Sequence, residues 1–323
     1  MIDKKHLFNK TIIRSYDIRG IYNKTLFDLD AKIIGNLFGL KVGKNQNVNI
    51  AYDGRLSSES LKNELVEGLL EVGVNVTEIG LSPTPLLYFS CIKNNAAGGI
   101  MITGSHNPKH HNGFKFVFNN MPFYGDDLIK LSEKAKGFSF KRNRGKKIKQ
   151  CFKDEYIDRI FKGINLKNKY RIAWDAGNGV AGELMSKIAK KINNQNFLLF
   201  ENVDGNFPNH HPDPSNPKNL KDCINLIIQE KLDLGIAFDG DGDRIGVIDD
   251  KGRVLSGDQL LLLFSYEILK KKKGAKIIGD VKCSQILFDE IKKKLGIPII
   301  SQTGHSHVKV NIKKNKVKNY QKV

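Results

Sequence analysis

The sequence predicts an α/β protein: three consecutive α/β units with mixed, mostly parallel sheets. Three observations carry that expectation. Apolar, strand-like runs alternate with segments of helical period along nearly the whole chain, the pattern of layered α/β folds. The alternation restarts after a basic, glycine-containing link, KRNRGKKIK at 141–149, and again near position 255. The two most unusual loops, TGSHNP and DGDGDR, each follow an apolar run, and ligands of open α/β sheets gather beyond the carboxyl ends of the strands.

In chain order, VNIAYD (48–53) reads as a strand, followed by a helix over 57–72 and the strands VNVTEIG and GGIMIT (98–103). The second unit runs through YRIAWDA (170–176) as a strand, Val180–Ile192 as a helix, NFLLFE as a strand, Leu220–Gln229 as a helix and LGIAFD as a strand. The third has helices over Gln259–Leu269 and Gln285–Leu295 and strands at AKIIGDV and IPIISQ. Gly274 and Gly296 follow lysine-rich helix ends and are expected to be C′ caps. After Lys309 the chain reads VNIKKNKVKNYQKV, basic and poor in apolar residues, and no element is expected there. The expected boundaries are 1–149, 150–254 and 255–323.

Length and composition bound the function. The chain has 323 residues, of which 40% are apolar, enough for real cores in roughly two to three domains. The net charge is +19, but the lysines are scattered, and no helix-turn-helix, zinc-finger or aromatic RNA-binding pattern appears, so no nucleic-acid partner is expected. Four widely spaced cysteines, Cys91, Cys151, Cys223 and Cys283, form no CxxC pair and suit a reducing cytoplasm. No apolar run approaches the ~20 residues of a membrane span, and MIDKKHLFNK lacks the apolar core of a signal peptide. A cytoplasmic protein without a membrane partner is expected; the oligomeric state is open.

DGDGDR (Asp239–Arg244) is the most informative stretch. It sets three carboxylates at alternate positions between the apolar runs LDLGIAF and IGVID. Carboxylates this close repel one another unless a cation sits among them, and hard oxygen donors suit Mg²⁺ or Ca²⁺. An EF-hand fails on detail: Arg244 stands where the loop glycine belongs, Asp250 replaces the closing glutamate, and the flanks look like strands. The second constellation, TGSHNP (Thr103–Pro108), follows GGIMI. Gly104 permits a sharp turn and Pro108 pushes Asn107 into an extended conformation, which presents Ser105 outward. A serine hydroxyl can attack phosphorus or carbonyl carbon once activated, and the absence of a GxSxG elbow disfavours an α/β-hydrolase. Read together, a serine phosphate and three aspartates make an all-oxygen site for a small divalent cation.

These residues resemble the α-D-phosphohexomutase family, in its phosphomannomutase/phosphoglucomutase branch. TGSHNP resembles the family's phosphoserine loop and DGDGDR its metal loop. SYDIRG (Ser15–Gly20), NGFK (Asn112–Lys115), DGNFPNHHPDPSNPKNL (Asp204–Leu220), DVKCS (Asp280–Ser284) and TGHS (Thr303–Ser306) resemble further family segments in the family's order. The resemblance implies Mg²⁺-dependent transfer of phosphate between O6 and O1 of a hexose, mannose or glucose phosphate, through a phosphoserine and a bisphosphosugar, with hexose 1,6-bisphosphate as activator. It implies Ser105 as phosphoserine, with His106 beside it as a further catalytic candidate. Asp239, Asp241 and Asp243 would hold Mg²⁺ with the Ser105 phosphate. Lys115 and Arg19 would neutralise the transferred phosphoryl group, and Lys115 could also help move protons. Tyr16, Arg19, Arg244, Lys282 and His305 would face the substrate. It also implies a sugar-reading loop of the form GEMSGH and a fourth domain, neither of which the sequence contains, so the third unit is expected to be incomplete and the family's fourth domain absent.

Two other readings are carried forward. The first is a C-terminally short chain that binds phosphosugar without turnover. Gly177-x-Gly179-x-x-Gly182, with Glu201 about 20 residues on, has the layout of a dinucleotide fingerprint and would make the protein an NAD-dependent dehydrogenase, though that explains neither DGDGDR nor TGSHNP. His110, His111, His210 and His211 are read as loop histidines, because metal-ligand spacing is absent.

Overall fold

The computed structural model describes residues 6–137, 144–164, 169–193 and 195–315, with the backbone alone at 305 and 306. It forms two compact units, Met1–Gly252 and Arg253–Val323. The first unit contains two sheets. Its N-terminal elements are β1 (Ile18–Ile21), α1 (Asp28–Val42), β2 (Asn47–Tyr52), α2 (Ser58–Glu71), β3 (Asn75–Leu81), α3 (Thr84–Lys93), β4 (Gly98–Ile102), β5 (His111–Phe118), β6 (Met121–Phe123), α4 (Asp126–Glu133), β7 (Lys147–Lys149) and α5 (Lys153–Phe161). The strand order is β1-β5-β4-β2-β3-β7, with β6 on β5. β2 runs parallel to β3 and β4, and β7 parallel to β3, whereas β5 is antiparallel to β4 and β1.

The strands are apolar on both faces because helices cover both. Successive side chains alternate: Val48, Ile50, Ile100 and Ile102 join the core under α1 and α2, with Phe38, Leu61, Leu65 and Leu69. Ala51 and Met101 point the other way, into a core with Leu86, Leu87 and Cys91 of α3, Ile157 of α5, and Leu184. Each large side chain buried this way contributes about 1.5–3 kcal/mol of transfer free energy.

The second sheet of this unit holds β8 (Ile172–Asp175), α6 (Gly182–Ile192), β9 (Phe197–Leu199), α7 (Lys221–Glu230), β10 (Leu234–Phe238) and β11 (Ile245–Asp249). β8 lies between β9 and β10 with both neighbours parallel, and β11 closes the hairpin antiparallel to β10. Cys223 and Ile227 of α7 cover one face and Met185 and Ala189 of α6 the other.

The second unit runs through β12 (Val254–Leu255), α8 (Gly257–Lys271), β13 (Lys276–Asp280), α9 (Gln285–Lys293), β14 (Ile297–Ser301) and α10 (His305–Lys314). β13 and β14 form a two-stranded parallel pair over Leu269, Leu287, Phe288 and Ile291. No helix among the described residues is long and apolar enough to cross a membrane.

Three local expectations are corrected. The basic link is partly strand: Lys147–Lys149 pairs with Val76–Glu78, a short lysine-bearing edge of the kind that resists edge-to-edge association, while 141–143 lie outside the described residues. The tail is helical to Lys314, because Val308 and Ile312 fall one helical turn apart on a half-buried face and Asn311 Nδ2 donates to Ser301 Oγ at 2.8 Å. Gly274 takes φ +70° as a cap should, but at the end of α9 the left-handed residue is Leu295, φ +62°. Leu295 N–H donates to the Lys292 carbonyl and Gly296 N–H to that of Ile291, each at 2.8 Å, so Gly296 occupies C″ of a Schellman turn. Glycine is needed there for space: a Cβ would lie 2.8 Å from Ile291 Cγ2 and 2.9 Å from the Leu269 methyls.

Candidate active site

The serine loop leaves the carboxyl end of β4, beside the end of β2. Asp53, just after β2, receives Thr103 Oγ1 at 2.7 Å, Ser58 Oγ at 2.6 Å and the Gly104 N–H at 3.1 Å. The Ser105 N–H in turn donates to Thr103 Oγ1 at 2.7 Å. Ser105 is buried, 2% exposed, with φ +49°, a left-handed conformation that a residue with a Cβ adopts at a cost of about 1–3 kcal/mol. Arg55 offsets that cost. Its Nη2 donates to the carbonyls of Ser105 and Asn107, each at 2.7 Å, and its Nη1 to those of Pro108 at 2.6 Å and His111 at 2.9 Å. Nε completes the set on Asp53 at 3.1 Å, so all five N–H groups of the guanidinium are used.

The acidic loop leaves the carboxyl end of β10. Asp239 Oδ1 receives the N–H groups of Asp243 and Arg244, each at 3.0 Å. Gly242 turns at φ +66°, and Gly240 lets the two loops meet, since a Cβ there would lie 2.5 Å from the Ser105 carbonyl oxygen. The result is a direct contact: Ser105 Oγ donates to Asp239 Oδ2 at 2.8 Å. Thr84, at the start of α3, clasps Asp241 twice, N–H to its carbonyl at 2.9 Å and Oγ1 to Oδ2 at 2.5 Å. Lys115, on β5 opposite Met101 of β4, places Nζ 2.6 Å from Asp241 Oδ2 and 2.7 Å from Asp243 Oδ2.

The charges follow from this packing. Burial, then the neighbouring Asp241 and Asp243 charges, push the Asp239 carboxyl well above the ordinary carboxylate range. Burial would raise Asp241 too, but the Lys115 ammonium and the Thr84 hydroxyl hold it well below that range. For Lys115 burial works to lower the value, yet Asp241 and Asp243 outweigh it and hold the ammonium above its usual range. Such a cation neutralises and donates; it is poorly disposed to accept a proton.

Metal capacity can be tested on the residues alone. One oxygen from each of the three aspartates lies within 4.8 Å of the others, and Asp241 Oδ1 and Asp243 Oδ1 are buried without a partner. Buried carboxylate oxygens are costly unless something positive meets them. One ammonium among three carboxylates leaves the cluster short of positive charge, so the donor set fits a hard divalent cation.

The other expected residues divide. His106 Nδ1 lies 3.2 Å from Ser105 Oγ, and burial, then Arg244, lowers its imidazole to about 4. Arg19 is buried; Nη1 donates to the Gly104 carbonyl at 3.2 Å, another nitrogen binds Asp17, and Nε has no partner. Arg244 is half-buried and Tyr16 exposed. In the second unit Lys282 is exposed, and Asp280 joins its two sugar-segment candidates by accepting the Lys282 N–H at 2.8 Å and Thr303 Oγ1 at 2.9 Å. The His305 side chain lies outside the described residues. Asp53, Arg55 and Thr84 were not expected from the sequence. The signal for the first two was present: DGR follows an apolar strand just as TGSHNP does. The glycines of the dinucleotide-like run have a packing role, because a Cβ on Gly182 would lie 1.8 Å from the Glu201 carbonyl oxygen, and Glu201 accepts Ser186 Oγ at 2.6 Å.

Three families match in succession: phosphoglucomutase/phosphomannomutase alpha/beta/alpha domain I over residues 10–157, domain II over 154–252 and domain III over 256–320. A Neisseria meningitidis serogroup B protein named phosphoglucomutase is 41% identical over 305 residues, 93% of this chain and 66% of the relative. A Pseudomonas syringae pv. tomato protein named phosphomannomutase/phosphoglucomutase is 40% identical over 94% of this chain and 66% of its own length. This chain therefore spans just under two thirds of both. The crystal structure of a phosphoglucomutase/phosphomannomutase family protein from Burkholderia thailandensis superposes with a TM-score of 0.92 at 38% identity, covering 96% of this chain and 70% of that one.

Proposed function

The chain belongs to the phosphoglucomutase/phosphomannomutase family, and we propose that it is a phosphohexomutase that moves phosphate between O6 and O1 of glucose or mannose phosphate through Ser105. The observation that carries this reading is the 2.8 Å contact of Ser105 Oγ with Asp239 in a cluster of three carboxylates. Phosphoryl transfer depends mainly on positioning and on stabilising charge, and both are supplied here by groups with independent supports.

In the forward step a sugar hydroxyl oxygen attacks the phosphorus of phosphoserine, the bond from phosphorus to Ser105 Oγ breaks, the proton lost by the sugar hydroxyl is matched by one gained at Ser105 Oγ, and a bisphosphosugar forms. After the sugar reverses, Ser105 Oγ attacks the phosphorus of the other phosphate, the bond from that phosphorus to the sugar oxygen breaks, that oxygen takes up a proton as Ser105 gives one up, and the product leaves. Asp239, Asp241 and Asp243 would hold Mg²⁺ with a phosphoserine oxygen; when bound, it polarises the phosphoryl group and offsets its charge. Lys115 donates to the oxygens gathered at the loop, and Arg19, which holds the Gly104 carbonyl through Nη1 and has an unpartnered Nε, offers further positive charge. His106 is poised to exchange a hydrogen bond with Ser105 Oγ. Tyr16 is assigned to the substrate, Arg244 and Lys282 to the sugar or its phosphate, and His305 to the sugar. We take 149/150 and 254/255 as the domain boundaries, hexose 1,6-bisphosphate as the activator and the cytoplasm as the site of action, in keeping with four free cysteines.

The test is incubation with glucose 1,6-bisphosphate followed by peptide mass analysis and a coupled mutase assay on one sample. One phosphoryl group on the Ser105 peptide with turnover is expected. Phosphorylation without turnover would instead favour the second reading, a chain that binds phosphosugar without catalysis. No phosphorylation would end the proposal.

A further inference from the structure

The segment Asp204–Leu220 has no part in the chemistry above, yet it touches both reacting loops. His211 Nε2 donates to the His106 carbonyl at 2.5 Å, and a carbonyl can only accept, so Nε2 carries the proton. The next residue, Pro212, accepts the Gly240 N–H through its own carbonyl at 3.2 Å. Two consecutive residues thus hold the serine loop and the acidic loop, one each. The segment is itself braced from below. His210 Nε2 lies 3.1 and 3.0 Å from the two oxygens of buried Asp175, and its Nδ1 meets the His211 carbonyl at 3.0 Å. The Phe207 ring lies 5.3 Å from the Arg55 guanidinium.

His211 also closes a pattern. Arg55 takes the carbonyls of Ser105, Asn107 and Pro108, and Arg19 and the Asn107 side chain take that of Gly104 at 3.2 and 3.1 Å. His106 supplies the one remaining carbonyl between Gly104 and Pro108, and His211 takes it. With every carbonyl engaged, no peptide of the loop can rotate without breaking a bond, which is how Ser105 is kept left-handed.

We propose that His211 is a positioning residue: with Pro212 it sets the spacing between Ser105 Oγ and the acidic loop, making Asp204–Leu220 a strap across the two. This rests on the phosphohexomutase reading for its purpose but not for its geometry. An error of about 1 Å in such a spacing can cost a hundredfold in rate.

The experiment compares the full chain with His211→Leu, which has no donor, and His211→Gln, which keeps one. Amide hydrogen exchange over 104–111 is read by mass spectrometry, and the initial rate of Ser105 phosphorylation is read against glucose 1,6-bisphosphate concentration. The leucine variant is expected to exchange about tenfold faster in that loop, with β2 and β10 unchanged. It is also expected to phosphorylate about 10–100-fold more slowly at an unchanged half-saturating concentration. The glutamine variant is expected to stay within about threefold of the parent on both measures. Unaltered loop exchange in the leucine variant, or a glutamine variant as impaired as leucine, overturns the proposal. If the parent itself takes up no phosphate, the phosphohexomutase reading fails, and the exchange comparison alone decides the strap.

Discussion

The serine loop and the acidic loop meet, but they are built on opposite plans. Every carbonyl from Gly104 to Pro108 is taken by a side chain, and the Gly104 and Ser105 N–H groups are taken as well. The acidic loop is left wanting: Asp241 Oδ1 and Asp243 Oδ1 are buried without partners, and three carboxylates share one ammonium. The saturated loop has nothing to gain from a ligand and fixes a position. The unsaturated loop stores repulsion that a cation relieves. On the proposed reading, a site that places one atom and holds one ion would divide the tasks this way.

The largest break in this contrast is Ser105→Ala. The loop is held through its backbone, so we expect the variant to keep its fold and its Mg²⁺ affinity in the unphosphorylated state. It should lose phosphoenzyme entirely and turnover by at least about 10⁴-fold. Mass analysis of the Ser105 peptide and a coupled assay check this; residual turnover near the parental rate would move the phosphoryl group to another residue.

Next come two substitutions in the acidic loop that differ by one carboxylate and should act in opposite directions. Asp241→Asn removes a partner from buried Lys115 and should destabilise the protein by about 3 kcal/mol. Asp239→Asn removes the one carboxylate that Lys115 does not contact, while an amide oxygen can still receive the N–H groups of Asp243 and Arg244. In EDTA it should stabilise by about 1 kcal/mol, because like-charge repulsion falls. Both should reduce the stability gained on adding Mg²⁺. Urea unfolding with EDTA and with Mg²⁺ reads all four cases. Failure of the opposite signs to appear in EDTA would mean that repulsion is not stored where the geometry places it.

The sequence revealed the acidic loop more fully than the serine loop, for the same physical reason. DGDGDR is made of its own functional side chains, so its chemistry is legible in six letters. The serine loop owes its shape to residues far along the chain: Asp53 and Arg55 after β2, Thr84 supporting its acidic partner, and His211 from the loop between β9 and α7. Lone arginines and histidines carry no spacing signal, so His211 read as an ordinary loop residue. The alternation of strands and helices gave the architecture because burial on both faces writes long apolar runs. It named no element at α1, α3, β5 or α5, and it expected none at β7 and α10, where three residues or two half-buried valine and isoleucine positions leave too little pattern. At Gly296 the letter was informative but its reason was not, since packing against Ile291 and Leu269 rather than a left-handed turn requires it.

The smallest effect bears on the brace beneath the strap. Burial works to lower the His210 imidazole, but the hydrogen bond and charge of Asp175, the His211 carbonyl and Asp222 together raise it above its ordinary value, near 6.5. A raised folded-state value means that the protonated form is bound more firmly in the folded protein. The resulting stability is therefore complete below about pH 6.5 and declines as pH rises through the folded value. Deprotonation also leaves one N–H to serve both Asp175 and the His211 carbonyl. If it stays on Nδ1, the bare Nε2 faces a carboxylate; if it moves to Nε2, the strap loses its carbonyl bond. Either way the brace weakens on the alkaline side. Unfolding measured from pH 6 to 8.5 should show the parent losing more stability than His210→Gln, whose side chain does not titrate, and the His210 ring should titrate above a free imidazole by NMR. Parallel pH slopes for the two proteins would mean that Asp175 and His210 form a neutral contact, and that the strap is held by packing alone.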